Sequence, residues 1–200
     1  MRAAAATAMA AALLLAGCSS APAPEIATGP ELVKQLAQQA REAGYEESAS
    51  RLEDGVIDKN EYDAAFGDMR SCFEGLGMTL EDVSINRGDG IRYIYRVEGS
   101  GFSQNTIEDA DAACTDRYFS HVDSAYIATT PPKMDEPLRV ATIECMRSAG
   151  YDMSGSEATF ADIAVSPDAD GGRRYKTADS CATEAVLSLY PDEPGIVLSF

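Results

Sequence analysis

The sequence predicts an α+β fold of two similar helix–β-hairpin–helix units, each stapled by one disulfide, behind an N-terminal signal and a tether. Three observations carry this reading. First, Cys72 is followed five residues later by Gly77, and Cys145 five residues later by Gly150. Second, each of these cysteines sits in a helical pattern. That pattern leads through a hairpin-like stretch to a second cysteine-bearing helix, with Cys114 or Cys181, which ends near Tyr126 or Tyr190. Such self-similarity marks an internal repeat. Third, once Cys18 is set apart, four cysteines remain, and an even number in an exported chain reads as two disulfides. A duplicated unit most simply pairs its own cysteines, which gives Cys72–Cys114 and Cys145–Cys181. Closing loops of that length stabilises by about 4 kcal/mol each on chain-entropy arithmetic.

The domain plan starts with the leader. Arg2, an apolar run from Ala3 to Leu15 and small residues before a cut site make 1–17 a secretory signal. The run is shorter than the roughly 20 apolar residues that span a bilayer. Leu15-Ala16-Gly17-Cys18 resembles the bacterial lipobox, and Ser19-Ser20 follows it. That resemblance implies that Cys18 is lipidated, with palmitate among the chains, and becomes the first residue of the mature protein. Two or more acyl chains anchor stably where one is marginal. Residues 18–30 are then the lipidated cysteine and a Pro- and Ala-rich tether. Residues 31–130 form the N-terminal helix and first unit, and 131–200 the second.

In the first unit, 31–43 carries a thin apolar stripe of Leu32, Leu36, Ala37 and Ala40, so a helix packed loosely on the main body is expected, stopped by Gly44. The stretch 50–61 partly resembles a calcium-binding EF-hand loop. Gly55 and Ile57 match its turn and core residue, and Asp54, Asp58 and Glu61 match ligand positions. Leu52 departs from that pattern by putting carbon where calcium needs oxygen. The alternative is a glycine turn followed by a helix with Asp58 as cap and Glu61 closing a capping box.

A stronger helix spans 60–76, with Tyr62, Ala65, Phe66, Met69, Phe73 and Leu76 at helical spacing. Strands follow at 80–86 and 91–97, joined by the hairpin signal Arg87-Gly88-Asp89-Gly90. Tyr93, Tyr95 and Val97 alternate with Arg92, Ile94 and Arg96, so one face is buried. The next helix starts at Ser103 or Thr106 and runs to Ile127 on a stripe that includes Ala110, Cys114 and Val122. Pro131 and Pro132 break it. In the second unit, Leu138, Ala141, Cys145 and Ala149 mark a helix. Strands are expected at 163–165 and 173–176 around a turn at 167–172. Thr177 caps a last helix with Cys181, Ala185 and Leu189, and the tail 195–200 adds a strand or packs on the core. With Glu61-Tyr62, Cys72 and Gly77 behind a lipobox and tether, the chain resembles uncharacterised secreted lipoproteins of actinobacterial type with paired cysteines. That resemblance implies an extracytoplasmic, stapled domain and carries no catalytic residues.

A net charge of −17 repels nucleic acid and anionic headgroups, so no nucleic-acid partner is expected. One histidine, His121, excludes a multi-histidine metal site, and no cofactor motif is present. The expectation is therefore an acidic lipoprotein held on the outer face of the cell membrane by its lipid. It binds an envelope protein, a peptide or a wall component, and has no catalytic residues. The alternative is a carboxylate-dependent cell-envelope hydrolase, which needs two convergent acids.

Overall fold

Helix α1 (Gly29–Glu42) forms where Pro30 fixes the first turn and Glu31 complements the helix N-terminus. In the computed structural model, residues 27–164 and 172–192 are described. The leader, Cys18 and the tether to residue 26, most of the 167–172 turn, and the tail 195–200 lie outside the described residues. The buried face of α1 is Val33, Ala37 and Ala40, with Leu36 half-buried. Val33 is its centre, so α1 packs tightly against the first core and not loosely. It ends in a Schellman turn: Gly44 N–H donates to Arg41 O at 3.0 Å and Tyr45 N–H to Ala40 O at 2.8 Å.

Helix α2 (Glu46–Arg51) was not anticipated. Leu52 caps it and is fully buried, which explains why this EF-hand position carries carbon. Helix α3 (Lys59–Gly75) starts with the expected capping box. Asp58 Oδ1 accepts from Glu61 N–H at 2.9 Å, and Glu61 Oε2 accepts from Asp58 N–H at 3.0 Å. Its inner face is Tyr62, Ala65, Phe66, Met69 and Phe73. Strands β1 (Thr79–Ile85) and β2 (Tyr93–Glu98) pair antiparallel, with Leu80 opposite Val97 and Ile85 opposite Tyr93. A bulge interrupts β1 between Glu81 and Ser84, where Asp82 takes a left-handed φ of 53°.

The helix expected from Ser103 or Thr106 to Ile127 is two helices, α4 (Gln104–Tyr118) and α5 (Ser120–Thr129). Phe119 breaks it, because its ring turns into the core against Tyr62 and Phe66, at centroid distances of 5.2 and 5.5 Å. Ser103 is the cap of α4, accepting from Thr106 N–H at 3.2 Å. One hydrophobic core unites α1, α2, α3, the hairpin, α4 and α5.

A second core is built from α6 (Glu136–Ser148), α7 (Phe160–Ala164) and α8 (Arg173–Leu189). The strands expected at 163–165 and 173–176 are corrected here. Ile163 and Ala164 belong to α7 and 173–176 opens α8, so this unit has no hairpin among the described residues. The buried residues explain why. Phe160, Ile163 and Ala164 recur at helical spacing, as do Ala178, Cys181, Ala182 and Ala185. Gly172, at φ 77°, precedes α8, and Lys176 N–H already donates to Gly172 O at 3.2 Å. Thr177 therefore lies inside the helix, where its hydroxyl donates to Arg173 O at 3.0 Å.

Both disulfides pair as expected. Cys72–Cys114 joins α3 to α4, and Cys145–Cys181 joins α6 to α8. Among the described residues no helix is long and apolar enough to cross a membrane.

Candidate binding groove

Strand β2 has two edges. One pairs with β1, and among the described residues the other pairs with no strand. The direction of its main-chain groups follows from the hairpin end. Asn86 N–H donates inward to Arg92 O at 2.7 Å, whereas Tyr93 N–H turns outward to the Tyr62 hydroxyl at 3.4 Å. Antiparallel strands alternate inward and outward residues, so Tyr95 and Val97 also aim their N–H and C=O away from β1.

That outer edge faces α4 across a groove of 470 Å³. Residues 95–98 form one side, and Gln104, Ile107, Glu108 and Asp111 of α4 form the other. Tyr95, Val97 and Ile107 also pack on the first core, so the apolar parts of the groove rest on a fixed base. The Tyr95 hydroxyl lies 3.5 Å from Thr115 Oγ1, and Thr115 donates to Asp111 Oδ1 at 3.2 Å. Burial raises the Tyr95 phenol above its ordinary pKa, and nearby Asp111 and Asp123 add to the rise. The Cys72–Cys114 disulfide ties the α4 side to α3.

Three carboxylates against one guanidinium make the groove acidic. Glu98 accepts from Arg96 Nε at 2.8 Å, and Arg96 also reaches Asp82 at 2.8 Å. Glu108 accepts from the Gln104 amide at 3.0 Å. Each acid thus has a local partner and stands at a polar rim.

Beneath the hairpin, an aromatic stack and a polar chain hold β2 in place. Tyr62 stacks on Tyr126 at 4.2 Å and on Tyr93 at 5.5 Å, and Phe66 stacks on Tyr93 at 3.9 Å. The Tyr93 hydroxyl donates to Asp63 Oδ1 at 2.7 Å, and Lys59 pairs with the same oxygen. Burial opposes ionisation of Asp63, but Lys59 and Tyr93 outweigh it and hold that carboxyl below its usual range.

A second concavity, of 340 Å³, lies where the two cores meet. Lys133 N–H donates to Asp89 O at 2.8 Å and Asp135 N–H to Arg87 O at 2.9 Å, so the linker runs along the hairpin turn. Asp135 also accepts from the Tyr190 hydroxyl and from Arg87 Nη1, the latter at 3.3 Å. The Arg87 guanidinium lies 4.9 Å from the Tyr190 ring centre. These bonds clamp the junction shut around its own residues.

The cysteines aside, the residues singled out in the sequence are not gathered. Asp54 Oδ1 accepts from Val56 N–H at 2.9 Å, and Asp58 and Glu61 complete the α3 cap. No cluster of three or more metal-ligating side chains occurs among the described residues. His121 packs 5.9 Å from Tyr45, and its buried Nδ1 has no hydrogen-bond partner among the described residues. Burial lowers its pKa, opposed by Asp116.

The groove itself escaped the sequence. Its signals were present in the Tyr95/Val97 alternation and in Ile107 on the helical stripe. What the sequence withholds is which edge of the hairpin stays uncovered. Comparison with family models, with curated proteins and with solved structures finds no match to this chain.

Proposed function

We propose that this chain is a membrane-anchored extracytoplasmic lipoprotein that acts as a binding module of the cell envelope, with the β2–α4 groove as its docking surface. One observation carries the reading: a strand edge that no other strand pairs with among the described residues lies beside a helix whose position is fixed by a disulfide and a packed core. Strand edges bind by offering main-chain donors and acceptors in register. A prearranged groove spends little ordering entropy when a partner docks. The leader and Cys18 supply the anchor, and the Pro-rich tether lets the domain stand away from the bilayer.

The acids at the rim fit docking better than hydrolysis. A carboxylate hydrolase sets an acid and a base on either side of a scissile bond. Here Glu98, Glu108 and Asp111 are each occupied by a neighbouring side chain of their own element.

The two halves also read as descendants of one stapled unit. The cysteine helices α3 and α6 end alike. Gly77 N–H donates to Glu74 O and Met78 N–H to Phe73 O, and Gly150 N–H donates to Arg147 O and Tyr151 N–H to Met146 O, all within 2.9–3.1 Å. Each is a Schellman end five residues beyond a disulfide cysteine.

Site-specific photo-crosslinking in intact envelopes tests the module. A photoreactive residue replacing Gln104 is expected to give a discrete adduct. The same residue replacing Glu184, exposed on α8, is expected to give none. Equal labelling from both positions, or none from either, would contradict the groove as a docking surface.

A further inference from the structure

We propose that the β2–α4 groove takes an extended, basic peptide segment, added as a third strand along the outer edge of β2. The inference rests on the binding-module reading and gives its partner a chemistry.

The regularity of the backbone selects the edge. The two outer edges of the hairpin are unlike. The outer edge of β1 is interrupted by the bulge at Asp82, whose left-handed backbone breaks the repeat of donors and acceptors. Bulges of this kind are a standard way to spoil an edge for pairing. Residues 95–98 of β2 have no such break, and they line the acidic groove. At about 3.3 Å per residue these four residues offer about 13 Å of uninterrupted edge.

Side-chain chemistry selects the partner. In an added strand, alternate side chains point to opposite faces. Those facing α4 meet Ile107 flanked by Glu108 and Asp111. A lysine fits that surface in two ways: its aliphatic stem covers Ile107 and its ammonium reaches the carboxylates. Residues facing the other way lie beside Arg96 and Glu98, which already pair with each other, so small polar side chains suit that side. The rim carries three carboxylates and one guanidinium, so an acidic segment is repelled where a basic one is attracted. An overall charge of −17 adds long-range attraction for a basic partner.

Rigidity favours the complex. Tyr95 packs edge-on against Phe66 at 5.7 Å, and α4 is stapled to α3, so the gap between strand and helix is set before a partner arrives.

The test measures fluorescence anisotropy of a labelled alternating Thr/Lys hexapeptide with the full chain in detergent micelles. Strand addition uses the amides of every second peptide residue. N-methylation of one set of alternate residues is therefore expected to weaken binding by about tenfold or more, while N-methylation of the other set is not. The Thr/Glu counterpart is expected not to bind, and added salt is expected to weaken the Thr/Lys complex. Glu108→Lys, at an exposed position of α4, is expected to weaken the Thr/Lys peptide about tenfold and to admit the Thr/Glu peptide.

Equal binding of both N-methylated peptides would overturn strand addition, because purely electrostatic attachment ignores amide direction. Equal binding of the Thr/Glu peptide would overturn the charge assignment. Failure of the Thr/Lys peptide alongside a Gln104 cross-link would refute the peptide chemistry and leave the module standing. Failure of both would remove both.

Discussion

The Tyr62 hydroxyl donates to Asp123 Oδ1 at 2.8 Å, joining α3 to α5 directly beneath the hairpin. Burial raises the Asp123 pKa; the Tyr62 bond and Arg92 oppose the rise, and Asp89 adds to it. A carboxyl whose pKa is raised on folding holds its proton more tightly in the folded state. Its contribution therefore favours the fold at low pH and is lost as pH rises from the ordinary aspartate value through the folded one. Asp123→Asn, which still accepts from Tyr62, is expected to be more stable than the parent at pH 7. That advantage should vanish below pH 4, about the unfolded aspartate value. Tyr62→Phe leaves a buried carboxylate without its donor and is expected to cost about 1–3 kcal/mol. Urea titrations at pH 3.5 and pH 7 measure both.

Glu157 titrates the other way. Burial alone would raise it, but hydrogen bonds from the main chain and from the Ser154 hydroxyl bring its pKa down to about 2. Ser154 N–H and Gly155 N–H donate to it at 2.9 and 2.8 Å. Its contribution is present above the unfolded value and lost as pH falls from about 4.5 towards 2. Glu157→Gln is expected to destabilise the second core at pH 7 and to flatten its loss of stability in acid. Hydrogen exchange of α6 and α8 amides across that range checks it.

How far the sequence reveals this arrangement depends on which forces act locally. The α3 capping box, the Arg87–Gly90 turn and the glycine ends of α3 and α6 are local chemistry, and each is legible residue by residue. The cysteine pairing is legible because an even set of four, read as two stretches that each close on themselves, leaves Cys72–Cys114 and Cys145–Cys181, the two pairs that form. The break at Phe119 is not, because it depends on Tyr62 and Phe66 waiting across the core. The second-unit strands failed for a related reason. The stretches 163–165 and 173–176 are short and without decisive period; Phe160, Ile163 and Ala164 recur at helical spacing in α7, the buried alanines do so in α8, and Val165 lies outside the described residues. The candidate groove is a tertiary product of β2 meeting α4, so its residues were visible but their meeting was not.

The disulfides make a separable prediction. Each tie belongs to one core, so the double substitutions Cys72→Ser/Cys114→Ser and Cys145→Ser/Cys181→Ser are expected to act on different parts of the molecule. Each costs up to about 4 kcal/mol. The first should abolish groove cross-linking from Gln104, and the second should spare it. Hydrogen exchange resolved by core, together with the cross-link, reports the division.

The junction carries its own prediction. A Cβ at Gly90 would lie 2.7 Å from Lys133 O, and Gly90 has a φ of 69°, so Gly90→Ala is doubly unfavourable. Tyr190→Phe removes the hydroxyl that donates to Asp135. Both are expected to uncouple the two cores, splitting one calorimetric transition into two and leaving the Gln104 cross-link intact. A single lowered transition would show that the cores depend on each other for stability.

A lipid-held module with its remaining sulfurs locked in two ties is what the proposed function requires. Peptide mapping by mass spectrometry, without reduction, of protein taken from membranes tests it most directly. The expected map shows a chain beginning at an acylated Cys18, with Cys72 linked to Cys114 and Cys145 to Cys181. Free thiols in the body, a different pairing, or an unacylated amino terminus would contradict it.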